Sequence, residues 1–238
     1  MERQNCYLMK ADYNRNAVFV AACIAIFVFG ISLIILGATL PSLREEFNLE
    51  ESQMGILASL LPAGILVGSL VFGPLVDRYS YKLLLSVSIL ITVAGFEVMA
   101  LTQTFFMLMV SILFIGFGGG LLNGAANALV SDLSEDFEEN KGANLSIMGV
   151  FFGLGALGMP VLLGTLSDVY TQGAILLGTG AILILPSIYM LLIRFPAAKQ
   201  SEELTLSTIK EMVRDGFLVL LSMVLFFQSG WESLMNNW

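Results

Sequence analysis

Glu232 lies four residues after Gln228 and four before Asn236, in an apolar run that also holds Trp231 and Trp238. Residues four apart share one face of a helix, so this spacing presents a carboxylate and two amides to a single stripe. A carboxylate inside a membrane-length apolar segment is functional by default; here it suits uptake of a proton or a hydrogen bond to a hydroxyl. The two tryptophans suit stacking on a ring or anchoring at an interface. Asn123 and Asn127 repeat the four-residue spacing in Gly116-Phe-Gly118-Gly119-Gly120-Leu-Leu-Asn123-Gly124-Ala-Ala-Asn127. Facing a wet cavity, these amides bind hydroxyls; facing another helix, they join the small residues as packing glue. A third group, Gly73, Asp77, Arg78 and Lys82, falls between two apolar runs. An anion there complements the positive pole of a neighbouring helix, or else the group is a solvated turn. Glu97, four residues before its apolar run ends at Leu101, reads as a carboxylate snorkelling to the headgroups.

Other chemistries drop out. The chain has no histidine, and its two cysteines, Cys6 and Cys23, fall in separate segments, so neither a transition-metal site nor a disulfide framework is expected. No nucleophile–base pair can be assembled without histidine, and no GxxxxGK[ST] phosphate loop is present. An enzyme, a primary pump, a bound cofactor and a nucleic-acid partner are therefore not expected.

Membrane helices must position the three groups. The 238 residues are 57% hydrophobic and 13% charged, with a mean hydropathy of +0.85, whereas soluble domains carry about 25% charge. Polar clusters separate seven apolar stretches, approximately 17–40, 52–76, 82–101, 105–130, 143–166, 173–193 and 216–238. Each is long enough, at about 1.5 Å rise per residue, to cross about 30 Å of hydrocarbon. The alternation of barrel strands is missing, so the backbone must satisfy itself as helices. With the N-terminus cytoplasmic, ten of the eleven Lys and Arg fall on the inner side and only Arg44 on the outer, a strong positive-inside pattern. The net charge of −8 does not oppose this, because acidic residues weigh little in orientation. The acidic clusters Glu45-Glu46 and residues 132–139 read as solvated loops. The first apolar run exceeds a signal-peptide core and reads as a signal anchor. The expected location is the plasma (cell inner) membrane, crossed several times, with the N-terminus in the cytoplasm.

Gly73-Pro-Leu75-Val-Asp77-Arg78-Tyr79 recurs 91 residues later as Gly164-Thr-Leu166-Ser-Asp168-Val-Tyr170, with Gly64 and Gly155 in the same register. Three apolar segments fit into that interval, and an odd number of spans reverses direction, so the copies belong on opposite sides of the bilayer. This is the mark of an inverted-topology repeat, with which transporters build two gates around one central site. The organisation that follows is a cytoplasmic tail, 1–16; a six-helix unit, 17–193; a central cytoplasmic loop, 194–215; and a seventh helix, 216–238. A seventh helix after a six-helix unit and a long loop reads as the start of a second half, so the expectation is a truncated transporter.

The stretch Gly73-Pro-Leu75-Val-Asp77-Arg78-Tyr79-Ser80-Tyr81-Lys82 resembles the signature loop of the major facilitator superfamily, GxLxDRxGRK. Gly73, Leu75, Asp77, Arg78 and Lys82 match; Ser80 replaces the family's glycine and Tyr81 its first basic residue. Leu122-Asn123-Gly124-Ala-Ala-Asn127 looks like the LETAANP stretch of fucose permease-type sugar carriers, with Asn123 in place of a glutamate. Gly153-Leu-Gly155-Ala-Leu-Gly158-Met-Pro160 looks like their GLGAxxGP, and the segment around Trp231 and Glu232 like their FYxGxExxxxxW. The resemblance implies an all-α membrane fold, one six-helix half made of two inverted three-helix repeats plus a seventh transmembrane helix. It implies that Gly73, Asp77, Arg78 and Lys82 serve a gate, with Asp77 latching the cytoplasmic side against a helix of the missing C-terminal half. Asn123, Asn127, Gln228, Glu232 and Asn236 are then the candidate solute ligands.

The expected function is secondary active transport of a small polar, sugar-like solute by alternating access, with protons as a coupling ion through Glu232. The expected partners are the solute, the lipid bilayer and the missing half. The alternatives are export of hydrophobic compounds and a non-transporting seven-helix interaction protein. The drug-antiporter branch typically carries an arginine in its fourth helix, and this chain has none there.

Overall fold

A helix of 51 residues is too long to be one span. At about 1.5 Å per residue it would reach more than twice the thickness of the hydrocarbon layer, and the chain forms such a helix over Glu51–Leu101. Ser80, at φ 74° and ψ 155°, breaks it, leaving two arms, residues 51–79 (α2) and 81–101 (α3). They are flanked by α1, Arg15–Phe47, α4, Phe105–Asp136, α5, Lys141–Leu166, and α6, Gln172–Leu192. These ranges come from a computed structural model, which describes residues 13–136 and 140–196 and, beyond them, 214–217, 219, 220, 223, 224, 227 and 231. The five continuous helices are each long and apolar enough to cross a membrane, and the break at Ser80 makes six spans of them.

Local chemistry fixes the ends. Asn14 caps α1 by accepting from the Ala17 amide at 3.3 Å, and Asn48 ends it in the left-handed region at φ 48°. Asn140 caps α5 at 3.2 Å and Thr171 caps α6 at 3.3 Å, each meeting one of the orphan amides of a first turn. The expected span 17–40 therefore extends through Pro41 to Phe47, with Arg44, Glu45 and Glu46 on its exposed side.

Cross-helix contacts give the directions. The Tyr81 hydroxyl donates to Asp132 at 2.8 Å, the Asn144 amide to the Ser134 hydroxyl at 3.1 Å, and the Tyr189 hydroxyl to the Ala17 carbonyl at 3.0 Å. These bonds gather the start of α1, the α2–α3 break, the α4–α5 connection and the end of α6 at one end of the bundle. Arg15, Arg78, Lys82, Lys141 and Arg194 lie there too, so we term it the basic face. Gly173 lies against Ala100 at the opposite face.

Glycines carry the two main crossings, as packing in lipid requires, where there is no hydrophobic drive between helices and close backbone approach supplies the attraction. Gly64 of α2 lies on the backbone of Leu113 and Phe117 of α4; Gly155 of α5 lies on that of Phe27 and Ile31 of α1. Gly116 of α4 meets Leu61 and Ile65, and Gly30 of α1 meets Phe152 and Ala156. All these residues correspond at constant offsets, 91 between α2 and α5 and 86 between α1 and α4. The repeat seen in the sequence is thus a repeat of contacts, and Gly73 to Tyr79 and Gly164 to Tyr170 stand at opposite faces.

Buried hydroxyls are satisfied. Among the described residues, Ser32, Thr39, Ser86, Ser88, Thr92, Ser111, Ser134 and Thr179 each donate to a carbonyl three or four residues earlier in their own helix. Ser187 of α6 donates instead to the Ser86 carbonyl of α3 at 3.1 Å. Chain contacts divide the protein into two units, Met1–Ala198 and Lys199–Trp238. In the second, the described positions 216, 217, 219, 220, 223, 224, 227 and 231 are helical. Asp215 opens that helix, its carboxylate accepting from the Phe217 amide at 2.9 Å.

Candidate functional site

The helix α4 buries Leu121, Leu122, Ala125, Ala126, Leu129 and Val130. This leaves Asn123 half-buried and Asn127 exposed on the side turned away from the core. One turn earlier on the same stripe, Gly119 lies against Phe29 and Ser32 of α1. The stripe therefore leaves the α1–α4 contact at Asn123 and is open at Asn127. The Asn127 amide nitrogen donates to the Asn123 main-chain carbonyl at 2.8 Å and to its side-chain oxygen at 2.9 Å. That bond orders both side chains. Among the described residues, the Asn123 amide nitrogen and the Asn127 amide oxygen have no partner, so one turn of helix offers a donor beside an acceptor. A hydroxyl both donates and accepts and matches such a pair. No Lys or Arg occurs anywhere in α4.

At the basic face the motif Gly73, Asp77, Arg78 and Lys82 is continuous helix up to the break rather than a loop. Asp77 and Arg78 are exposed, and the Arg78 guanidinium lies 5.3 Å from the centre of the Tyr79 ring. A Cβ placed on Gly73 would meet nothing within 4 Å, so its surface is open. Ser80 occupies a backbone region that is essentially glycine's own, at a cost of about 1–3 kcal/mol. The adjacent Tyr81 is 3% exposed and bonded to Asp132.

Sequence reasoning missed the Tyr81–Asp132 pair. Residues 132–139 read as a solvated acidic loop, but α4 continues to Asp136 and Asp132 is half-buried within it. The available signal was Tyr81 itself, a phenol where the resembling loop has a cation. Glu97 also corrects expectation. Its carboxylate fills the notch left by Gly180 of α6, where a Cβ would collide with it. Helical side chains lean toward the helix N-terminus, which for α3 is the basic face, so Glu97 leans into the bundle and not outward. Gln228, Glu232 and Asn236 lie outside the described residues; their neighbour Trp231 is helical and exposed.

Residues 22–237 match the Major Facilitator Superfamily. The chain is 28% identical over 143 residues to the glucose/mannose transporter GlcP of Bacillus subtilis, covering 60% of this chain and 35% of that protein. It is 33% identical over 134 residues to sodium-dependent glucose transporter 1 of Rattus norvegicus, covering 56% and 27%. It is 33% identical over 117 residues to the cis,cis-muconate transport protein of Acinetobacter baylyi, covering 48% and 28%. Among solved structures, the nucleoside transporter NupG superposes with a TM-score of 0.69 at 16% identity, over 90% of this chain and 52% of that one. An inward-facing, unoccupied bacterial homologue of the lysosomal transporter Spinster gives 0.64 at 18%, over 84% and 47%. The chain thus spans about half the length of these structures and about a third of the curated relatives.

Proposed function

The chain belongs to the Major Facilitator Superfamily, and from that premise we propose that it is the first half, with the start of the second, of a carrier for a small neutral polar solute. Its relatives are transporters, not enzymes. The observation that carries the reading is the ordered Asn123–Asn127 pair, a donor and an acceptor left open on a helix packed beside α1. Relatives that carry glucose favour a sugar or polyol. The muconate relative raises an organic acid as the second reading, but α4 holds no cation to meet a carboxylate.

In this proposal the basic face is cytoplasmic and the membrane is the plasma (inner) membrane. Solute reaches the site from one side at a time, as the half described here rocks against a C-terminal half. Gly73, Asp77, Arg78 and Lys82 serve the cytoplasmic gate. Gln228, Glu232 and Asn236 meet the solute from the seventh helix, with Glu232 as the proton carrier. Uptake of radiolabelled neutral sugars by the full-length carrier in proteoliposomes, with and without a proton gradient, tests this. Asn127→Ala is expected to raise KM about two- to tenfold, since a neutral hydrogen bond contributes about 0.5–1.5 kcal/mol. Glu232→Gln is expected to cost about ten- to a hundredfold and to flatten the pH profile. Saturable uptake of muconate but of no neutral sugar would transfer the assignment to organic acids.

A further inference from the structure

The gate reading uses one copy of the repeated motif and leaves the other, Gly164 to Tyr170, without a role. The constant offsets between the crossings make α4–α5–α6 the inverted counterpart of α1–α2–α3. The offset of 91 that carries Gly64 onto Gly155 carries Gly73 onto Gly164 and Asp77 onto Asp168. A Cβ on Gly164 meets nothing within 4 Å, as at Gly73. Asp168 is exposed, and its carboxylate has no partner among the described residues.

Its own helix does not account for it. α5 ends at Leu166, so Asp168 stands just past a C-terminus, where the helix dipole repels an anion. The face of α5 that leads to it is bare: Gly149, Gly153 and Gly164 all border open space. The second copy differs from the first in two respects. Val169 replaces the arginine, and the chain turns at residues 167–170, with the Tyr170 amide on the Leu166 carbonyl at 2.8 Å, where α2 stays helical through Asp77.

We propose that Asp168 is the latch of the opposite, outer gate, the inverted counterpart of Asp77. When the outer side closes, its carboxylate meets the positive N-terminal end of a helix from the second half. The half then carries one anionic latch per face, and the two oppose each other: Asp77 holds the outward-open state and Asp168 the inward-open one. This rests on the alternating-access reading above.

The test places a cysteine at Asn127 in a cysteine-free version of the full-length carrier. The rate at which an impermeant maleimide reaches it from outside is then measured in intact cells. Asp168→Asn is expected to speed labelling about two- to thirtyfold, the range for losing a charge at a helix terminus. Asp77→Asn is expected to slow it, and the double variant to return toward the parent rate. Asp and Asn serve turns equally well, so a residue that only shapes the turn would leave labelling unchanged. Asp168→Glu, which keeps the charge, must label like the parent. Unchanged labelling in Asp168→Asn while Asp77→Asn slows it would overturn the outer latch alone. Unchanged labelling in both would overturn the latch together with the alternating-access reading.

Discussion

The two symmetric crossings start alike and then diverge. Both open with a pair of glycines seated on the partner's backbone, Gly64 with Gly116 and Gly155 with Gly30. One turn further, α2 and α4 repeat the device, Gly68 on Phe117 and Leu121 and Gly120 on Ile65. At the corresponding positions α5 and α1 carry Met159 and Ile34, 91 and 86 residues away, so the glycine seat is not repeated. Symmetry of backbone path therefore does not require symmetry of adhesion. One arm of the half repeats the glycine seat toward the basic face, whereas the other has it at a single turn.

Gly120→Ile installs in the crossing with the repeated seat the residue of the other. Its branched side chain would strike the Ile65 carbonyl, a backbone atom that cannot step aside, and the cost is expected at about 3 kcal/mol, the upper end for overpacking. Thermal unfolding in detergent should show a large drop; a near-parental midpoint would break the comparison. Tyr81→Phe removes the hydrogen bond that ties the α2–α3 break to Asp132 of α4. A bond to a charged group contributes about 1.5–3 kcal/mol, and denaturant titration should read a loss in that range. Gly155→Ala in the α1–α5 crossing is expected to cost about 1–2 kcal/mol, because α5, with a bare outer face, can shift away from Phe27; a loss equal to that of Gly120→Ile would show the crossings to be equally rigid. The smallest effect has the opposite sign. Ser80→Gly relieves the positive φ at the break and is expected to stabilise by about 1 kcal/mol, read as a higher unfolding midpoint.

The spans were legible because hydropathy reports length, and the inverted repeat because Gly64, Leu75 and Asp77 recur in register. The amide pair was legible from its spacing alone. Three features were not. The fusion of α2 with α3 was hidden because Asp77, Arg78 and Tyr79 look like a loop by composition, while helical hydrogen bonds are indifferent to side-chain polarity. The Tyr81–Asp132 bond joins residues 51 apart, each in a segment that composition marks as solvated. The notch that takes Glu97 belongs to Gly180, and nothing local to residue 97 announces a glycine on a neighbouring helix.

The hydroxyls that bond back onto their own helices bear on how the protein is made. In hydrocarbon an unmet polar group costs several kcal/mol, so a segment that relied on a later neighbour would have to wait for it. Ser32 and Thr39 in α1, Ser88 and Thr92 in α3, Ser111 and Ser134 in α4 and Thr179 in α6 need no such neighbour. For these hydroxyls a span can pass sideways from the translocation channel into lipid as soon as it is synthesised. Two serine hydroxyls reach across helices instead: Ser69 of α2 donates to the Gly120 carbonyl of α4, made later, at 3.5 Å, whereas Ser187 donates to the Ser86 carbonyl of α3, already in place when α6 is made.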